Sequence, residues 1–173
     1  MALKQLFSWS HFHISRQMQR YPDGIEREVT LMEHPGAVVI IPIGLQGELV
    51  LERQYRAAVN RWLLEFPAGT IEDGEDPLVC AKRELAEEVG LAASNWQCLG
   101  TLLPAPGFCN EIQHLYVASD LVEVSENLDE DEIIESLRLK RGDLEQQIRS
   151  GDVVDNKTIA AFCRATLCGI WEQ

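Results

Sequence analysis

The sequence predicts a layered α/β domain, and three observations carry that reading. Short apolar, largely β-branched runs recur through most of the chain, one amphipathic helical pattern interrupts them, and two further helical patterns follow near the end. The length of 173 residues suits one domain, residues 1–173, with a core of its own. A hydrophobic content of 46% is that of an ordinary globular protein. No internal repeat and no low-complexity linker divides it.

The elements follow in order. Residues His11 to Met18 and Ile25 to Met32 read as strands joined by Tyr21-Pro22-Asp23-Gly24, where proline presets φ and glycine tolerates the left-handed position. Ala37 to Ile43 is the continuous apolar run of a buried strand. Gly44 to Gly47 turns the chain into a hairpin partner, Glu48 to Tyr55, and Trp62 to Phe66 is a further short strand. After the first helical pattern, Gln97 to Leu103, Ile112 to Ala118 and Ile133 to Leu139 read as strands. Asp143 to Arg149 and Asn156 to Leu167 read as helices, with Asp143 and Asp155 as N-caps and Gly151 and Gly169 as stops. Ile159, Phe162, Cys163, Thr166 and Leu167 have the spacing of a core-facing stripe.

Chemistry concentrates in GTIEDGEDPLVCAKRELAEEVGL, Gly69 to Leu91. Asp76-Pro77 opens a helix with a cap acceptor and a proline at the first helical position, and Gly90 ends it. Leu78, Ala81, Leu85 and Val89 share one face and pack on a core. Glu84, Glu87 and Glu88 share a neighbouring face. Three carboxylates side by side repel one another, and they sit in the last turns, where the helix dipole disfavours negative charge. Such a cluster reads either as a charged outer face or as a site for a divalent cation such as Mg²⁺ or Mn²⁺, which suits carboxylate oxygens and removes the conflict.

With Gly69, Glu75, Arg83-Glu84, Leu85, Glu87-Glu88 and Gly90-Leu91 all in register, the run resembles the Nudix box of the nucleoside-diphosphate-X hydrolases. Flanking segments extend the likeness over roughly residues 25 to 168. Glu52-Arg53-Gln54-Tyr55-Arg56, Leu64-Glu65-Phe66-Pro67-Ala68-Gly69, Pro104-Ala105-Pro106-Gly107-Phe108 with Glu111, Asp129-Glu130-Asp131-Glu132 and Gly151 with Asp155-Asn156-Lys157-Thr158 resemble the ADP-ribose pyrophosphatase group. One departure is an alanine, Ala105, where that group carries serine. The resemblance implies an α/β/α sandwich with a mixed β-sheet, and hydrolysis of ADP-ribose to AMP and ribose 5-phosphate.

By the same resemblance, Glu84 and Glu88 ligate metal, Glu87 is a further or shared ligand, and the Ala68 carbonyl is a backbone ligand. Arg83 orients the carboxylates, and Glu75 supports the loop. Carboxylates bound to metal are poor proton acceptors, so the base should lie outside the helix, and the resemblance implies the late acidic loop as its source: Glu130, with Glu132 as the alternative. Arg53, Arg56, Glu65 and Glu111 are the candidate substrate contacts. Each also has a plainer reading, as an exposed strand arginine, a strand-end carboxylate or a loop cap.

A net charge of −13 argues against a broad nucleic-acid or acidic-membrane surface. The cysteines, Cys80, Cys98, Cys109, Cys163 and Cys168, are odd in number and lack CxxC spacing, so they read as small apolar residues in a reducing compartment. No signal-peptide pattern and no apolar run of spanning length is present, so a cytoplasmic enzyme is expected. His11 and His13 read as a surface pair, His114 as structural, and the tryptophans as core or dimer contacts. Family resemblance suggests a homodimer built through the N-terminal strands, about residues 10–32. The competing readings are a pyrophosphatase for another nucleotide sugar or dinucleotide, such as GDP-mannose, and a non-catalytic nucleotide sensor.

Overall fold

The computed structural model describes residues 4–9, 11–125 and 133–172. Its strands and helices are β1 (Lys4–Trp9), β2 (Phe12–Arg20), β3 (Glu26–Glu33), β4 (Ala37–Pro42), β5 (Glu48–Arg56), β6 (Arg61–Glu65), β7 (Ala68–Thr70), α1 (Pro77–Val89), β8 (Leu91–Leu102), β9 (Gln113–Glu123), β10 (Ile134–Lys140), α2 (Arg141–Ser150) and α3 (Asn156–Leu167). They form three sheets, ordered β1-β2-β3, β10-β5-β6 and β7-β4-β9-β8. The last is mixed, because β4 runs parallel to β9 and antiparallel to β7.

β4 shows why the layers form. All six of its residues are buried, and successive side chains alternate between faces. Val38 and Ile40 pack with Cys80, Ala81, Leu85 and Val89 of α1. Val39 and Ile41 pack with Leu144 of α2 and Ala161, Phe162 and Ala165 of α3. The mixed sheet is therefore covered by α1 on one face and by α2 and α3 on the other, as the sandwich expectation requires. No helix among the described residues is long and apolar enough to cross a membrane.

Several expectations need correction. β1 was not anticipated: every residue in it is exposed, so it carries no alternation to read. β7 is too short for a periodicity signal, and β8 begins at Leu91, directly after Gly90, rather than at Gln97. Asp143 is not an N-cap. β10 runs straight into α2, so the cap position falls on Lys140 and Asp143 lies in the first turn, where the helix dipole favours an acid. α3 faces the core with Thr158, Ala161, Phe162 and Ala165. Of the anticipated stripe, Ile159 and Phe162 pack on the core, while Cys163 and Thr166 are exposed and Leu167 is 86% exposed. Small side chains let α3 sit close to the sheet, and the Thr158 hydroxyl is satisfied by accepting from the Phe66 N–H at 2.9 Å. Cys80 and Cys109 are buried, but Cys98, Cys163 and Cys168 are exposed, and all are free thiols.

Candidate active site

The box folds as loop, strand, loop and helix. Asp76 caps α1 by accepting from Leu78 N at 2.9 Å and Val79 N at 3.3 Å, and Gly90 ends it at φ 63°. The loop before the helix is closed by Glu75, whose carboxylate accepts from Glu72 N at 3.0 Å and pairs with Arg83 through Nε and Nη2, each at 3.0 Å. The Arg83 hydrogen bonds hold the Glu75 carboxyl down at about 2, against the opposing effect of its burial.

Arg83 is the hub of the site. Its Nη1 donates to Glu84 at 2.7 Å and to Glu87 at 3.1 Å, while Nη2 also reaches the Thr70 carbonyl at 3.3 Å. Hydrogen bonding to Glu75 comes first among the causes that raise the Arg83 pKa, and the charge of Glu84 adds to it. The repulsion expected among the box acids is thus relieved by a neighbouring arginine within the same helix. Glu88 stands apart from that pair: its carboxylate accepts from the Ala68 N–H at 2.9 Å and is 3% exposed.

Gly69 lies between these two groups. A methyl group there would fall on the Glu84 carboxylate, so the missing side chain is what lets that carboxylate lie against the β7 backbone. Cys80 lies beneath, donating weakly to the Thr70 carbonyl at 3.6 Å. Burial, reinforced by Glu84 and Glu75, pushes its thiol up to about 12, so it is an inert packing group.

A polar cavity of about 250 Å³ opens above Gly69 and is lined by Gln54, Arg56, Arg83, Glu84 and Glu87, with His11 at its edge. It shares Arg56, Ala68, Gly69 and Thr70 with a second cavity of about 430 Å³, which adds Glu65, Glu111 and Lys157. Arg56 forms a two-pronged pair with Glu65, Nε to Oε1 at 3.0 Å and Nη2 to Oε2 at 2.6 Å. Burial lowers the Arg56 pKa, but Glu65, Glu52 and Glu88 together raise it on balance, so the guanidinium remains charged. Burial likewise raises the Glu65 carboxyl, and Arg56 and Lys157 outweigh it, leaving the pKa lowered.

The structure therefore brings Arg56, Ala68, Arg83, Glu84 and Glu87 to the first cavity and Glu65 to the adjoining second one, with Glu88 held on the Ala68 N–H and Glu111 on the wall of the second cavity, accepting from Gln113 at 2.9 Å. Arg53 is not among them. It lies on the other face of β5, pairs with Glu135 at 3.3 Å and covers the Trp62 ring at 5.4 Å. Glu130 and Glu132 lie outside the described residues. Sequence reasoning assigned no role to Gln54, Lys157 or His11, nor to Glu52, which is fully buried on the face that Arg56 shares. The period of two along β5 was the available signal, since it sets Glu52, Gln54 and Arg56 together and Arg53 opposite.

Among the described residues, no three Asp, Glu, His or Cys side chains form a ready-made metal cage. Mg²⁺ does not need one, because it keeps several waters and takes one or two carboxylates together with substrate phosphates. The donors here suit it: hard carboxylate oxygens, a polar cleft, and a glycine cradle that leaves Glu84 against the backbone.

The NUDIX domain profile matches residues 32–161. The chain is 36% identical over 160 residues to a methanol dehydrogenase activator of Bacillus methanolicus, covering 91% of this chain and 86% of that protein. It is 32% identical over 164 residues to an ADP-ribose pyrophosphatase of Bacillus subtilis, covering 94% and 89%. A crystal structure of an ADP compounds hydrolase superposes with a TM-score of 0.83 at 25% identity, over 99% of this chain and 94% of that one.

Proposed function

This chain belongs to the NUDIX domain family and is a Nudix hydrolase, and from that premise we propose that it cleaves the pyrophosphate of ADP-ribose to AMP and ribose 5-phosphate. One observation carries the reading most directly: Glu84 seated over Gly69 beside Glu88 on the Ala68 N–H, at the floor of a cleft whose wall presents Arg56. The similarity to an ADP-ribose pyrophosphatase over nearly the whole chain supports the substrate.

The chain's own groups divide the work. Arg56, held by Glu65, offers the rest of its planar fork to a diphosphate oxygen. Arg83 fixes Glu84 and Glu87 in position. A Mg²⁺ or Mn²⁺ ion held by Glu84, Glu88 and the Ala68 carbonyl, with Glu87 adjoining, would supply neutralisation of the diphosphate charge and acidification of the attacking water. Glu130, with Glu132 as the alternative, takes the proton as the water oxygen bonds to phosphorus and the P–O bond to the departing phosphate breaks. Glu111 approaches the substrate from the second cavity.

Arg53 has no part in this scheme, because its side chain lies on the other face of β5, against Glu135 and Trp62. A homodimer formed through β1, β2 and β3 fits the exposed Leu6, Phe7 and Trp9 of β1. Light scattering of the purified protein, beside a chain lacking residues 1–10, tests that assembly. One domain over residues 1–173 and a cytoplasmic location complete the proposal.

The test is AMP release from ADP-ribose with Mg²⁺, comparing wild type with Glu88→Gln. Turnover by the wild type that falls at least about 100-fold in the variant supports the reading; equal turnover by both refutes the metal role. The similarity to an activator of another enzyme favours a second reading, a regulatory role. Wild-type protein that binds ADP-ribose without releasing AMP would decide for it, and a panel including GDP-mannose would reveal a different nucleotide-sugar substrate.

A further inference from the structure

Lys157 is a buried cation in an unfavourable place. It is 9% exposed and sits in the first turn of α3, where the helix dipole opposes positive charge. A buried lysine is costly unless paired. Its partner is Glu65, 1% exposed, whose Oε2 it contacts, with Asp155 Oδ2 at 3.2 Å on its other side. The same Oε2 accepts from Arg56 Nη2 at 2.6 Å, so two cations converge on one oxygen.

The first turn of α3 is built to deliver that ammonium. Asp155 caps the helix by accepting from Thr158 N at 2.9 Å, and Thr158 Oγ1 accepts from the N–H of Phe66, the residue following Glu65. Helix and strand are pinned on both sides of the ion pair. Helix stability alone does not account for a lysine here, since an uncharged residue would suit both the burial and the dipole.

Resting on the reading that Arg56 meets the diphosphate, we propose that Lys157 is a positioning residue for Arg56: it immobilises Glu65 and offsets its charge, so that the Arg56 guanidinium faces the nucleoside diphosphate rigid and incompletely neutralised. Of the five N–H donors of an arginine, two are committed to Glu65, leaving three for the cleft. Without Lys157, the full charge of Glu65 falls on Arg56 and its carboxylate gains rotational freedom. Either change weakens a phosphate contact without touching it.

The experiment is calorimetric titration of full-length protein with ADP, without divalent metal, which reads phosphate binding independently of turnover. Wild type, Arg56→Gln, Lys157→Met and the double variant are compared, with Lys157→Gln replacing the methionine if that variant does not fold. Arg56→Gln and Lys157→Met are each expected to weaken ADP binding about tenfold, the loss of roughly one charge-assisted hydrogen bond. The double variant is expected to bind no more weakly than Arg56→Gln alone, and Lys157→Arg should restore affinity to within about twofold. Wild-type affinity in the folded lysine variant, or losses that add in full in the double variant, would overturn the proposal while leaving the role of Arg56 standing. If Arg56→Gln itself binds ADP like the wild type, the phosphate role of Arg56 fails, and this proposal with it.

Discussion

Replacing Gly69 with alanine separates what the site needs for chemistry from what the fold needs for stability. The backbone at Gly69 is not in the left-handed region, so the substitution brings no backbone strain. The atoms nearest its added methyl group are those of the Glu84 carboxylate, the end of a side chain that can swing away. The swing forfeits the 2.7 Å pair with Arg83. Arg83 is part-exposed and keeps Glu75 and Glu87, so that loss is at most about 1 kcal/mol, or roughly 2–4 °C in Tm for a chain of this size. Moving a carboxylate proposed to ligate metal is a different matter, and kcat should fall about 10- to 100-fold. AMP release, scanning calorimetry and Mn²⁺ binding followed by electron paramagnetic resonance measure the three quantities on one preparation. Gly69→Ala with undiminished kcat and Mn²⁺ affinity would refute the cradle. A drop in Tm beyond about 10 °C would show instead that the glycine serves the fold.

Acid should unfold this protein partly through Glu75. Its folded pKa of about 2 lies below the ordinary 4.5, so its contribution is present above pH 4.5 and is lost as pH falls toward 2. Glu75→Gln should flatten that limb of a chemical-denaturation profile, and an unchanged limb would contradict the assignment. Asp76→Ala removes the cap of α1 and should cost about 1 kcal/mol by urea titration. Leu167→Ser, on the exposed side of α3, should leave the urea midpoint within about 0.5 kcal/mol of wild type; a larger change would mean that this leucine is covered.

How much of this was legible beforehand depended on the range of each interaction. Asp76, Pro77, Gly90 and the apolar face of α1 are local signals, and helix, cap and stop stand where they were read. The three acids were also placed correctly on α1. What the spacing did not reveal is that Arg83, one turn before Glu87, already pairs with two of them, so their mutual repulsion is not by itself a reason for a cation. α3 misled because hydrophobicity was read without size: Ala161 and Ala165 mark the close contact, while the larger Leu167 lies outside. Lys157 was illegible as a partner of Glu65, since the two meet across 92 residues. Arg53 and Arg56 are three apart on a strand, and strict alternation would have separated them.

Because Arg83 supplies a countercharge to Glu84 and Glu87 from within its own helix, the proposed ion is not needed to hold those two carboxylates side by side. On the proposed metal reading, a chelator should silence the enzyme while leaving it folded, with the thermal midpoint lowered only by the stabilisation that ion binding adds. Catalysis would then follow ion supply, with the polypeptide persisting intact through periods of scarcity.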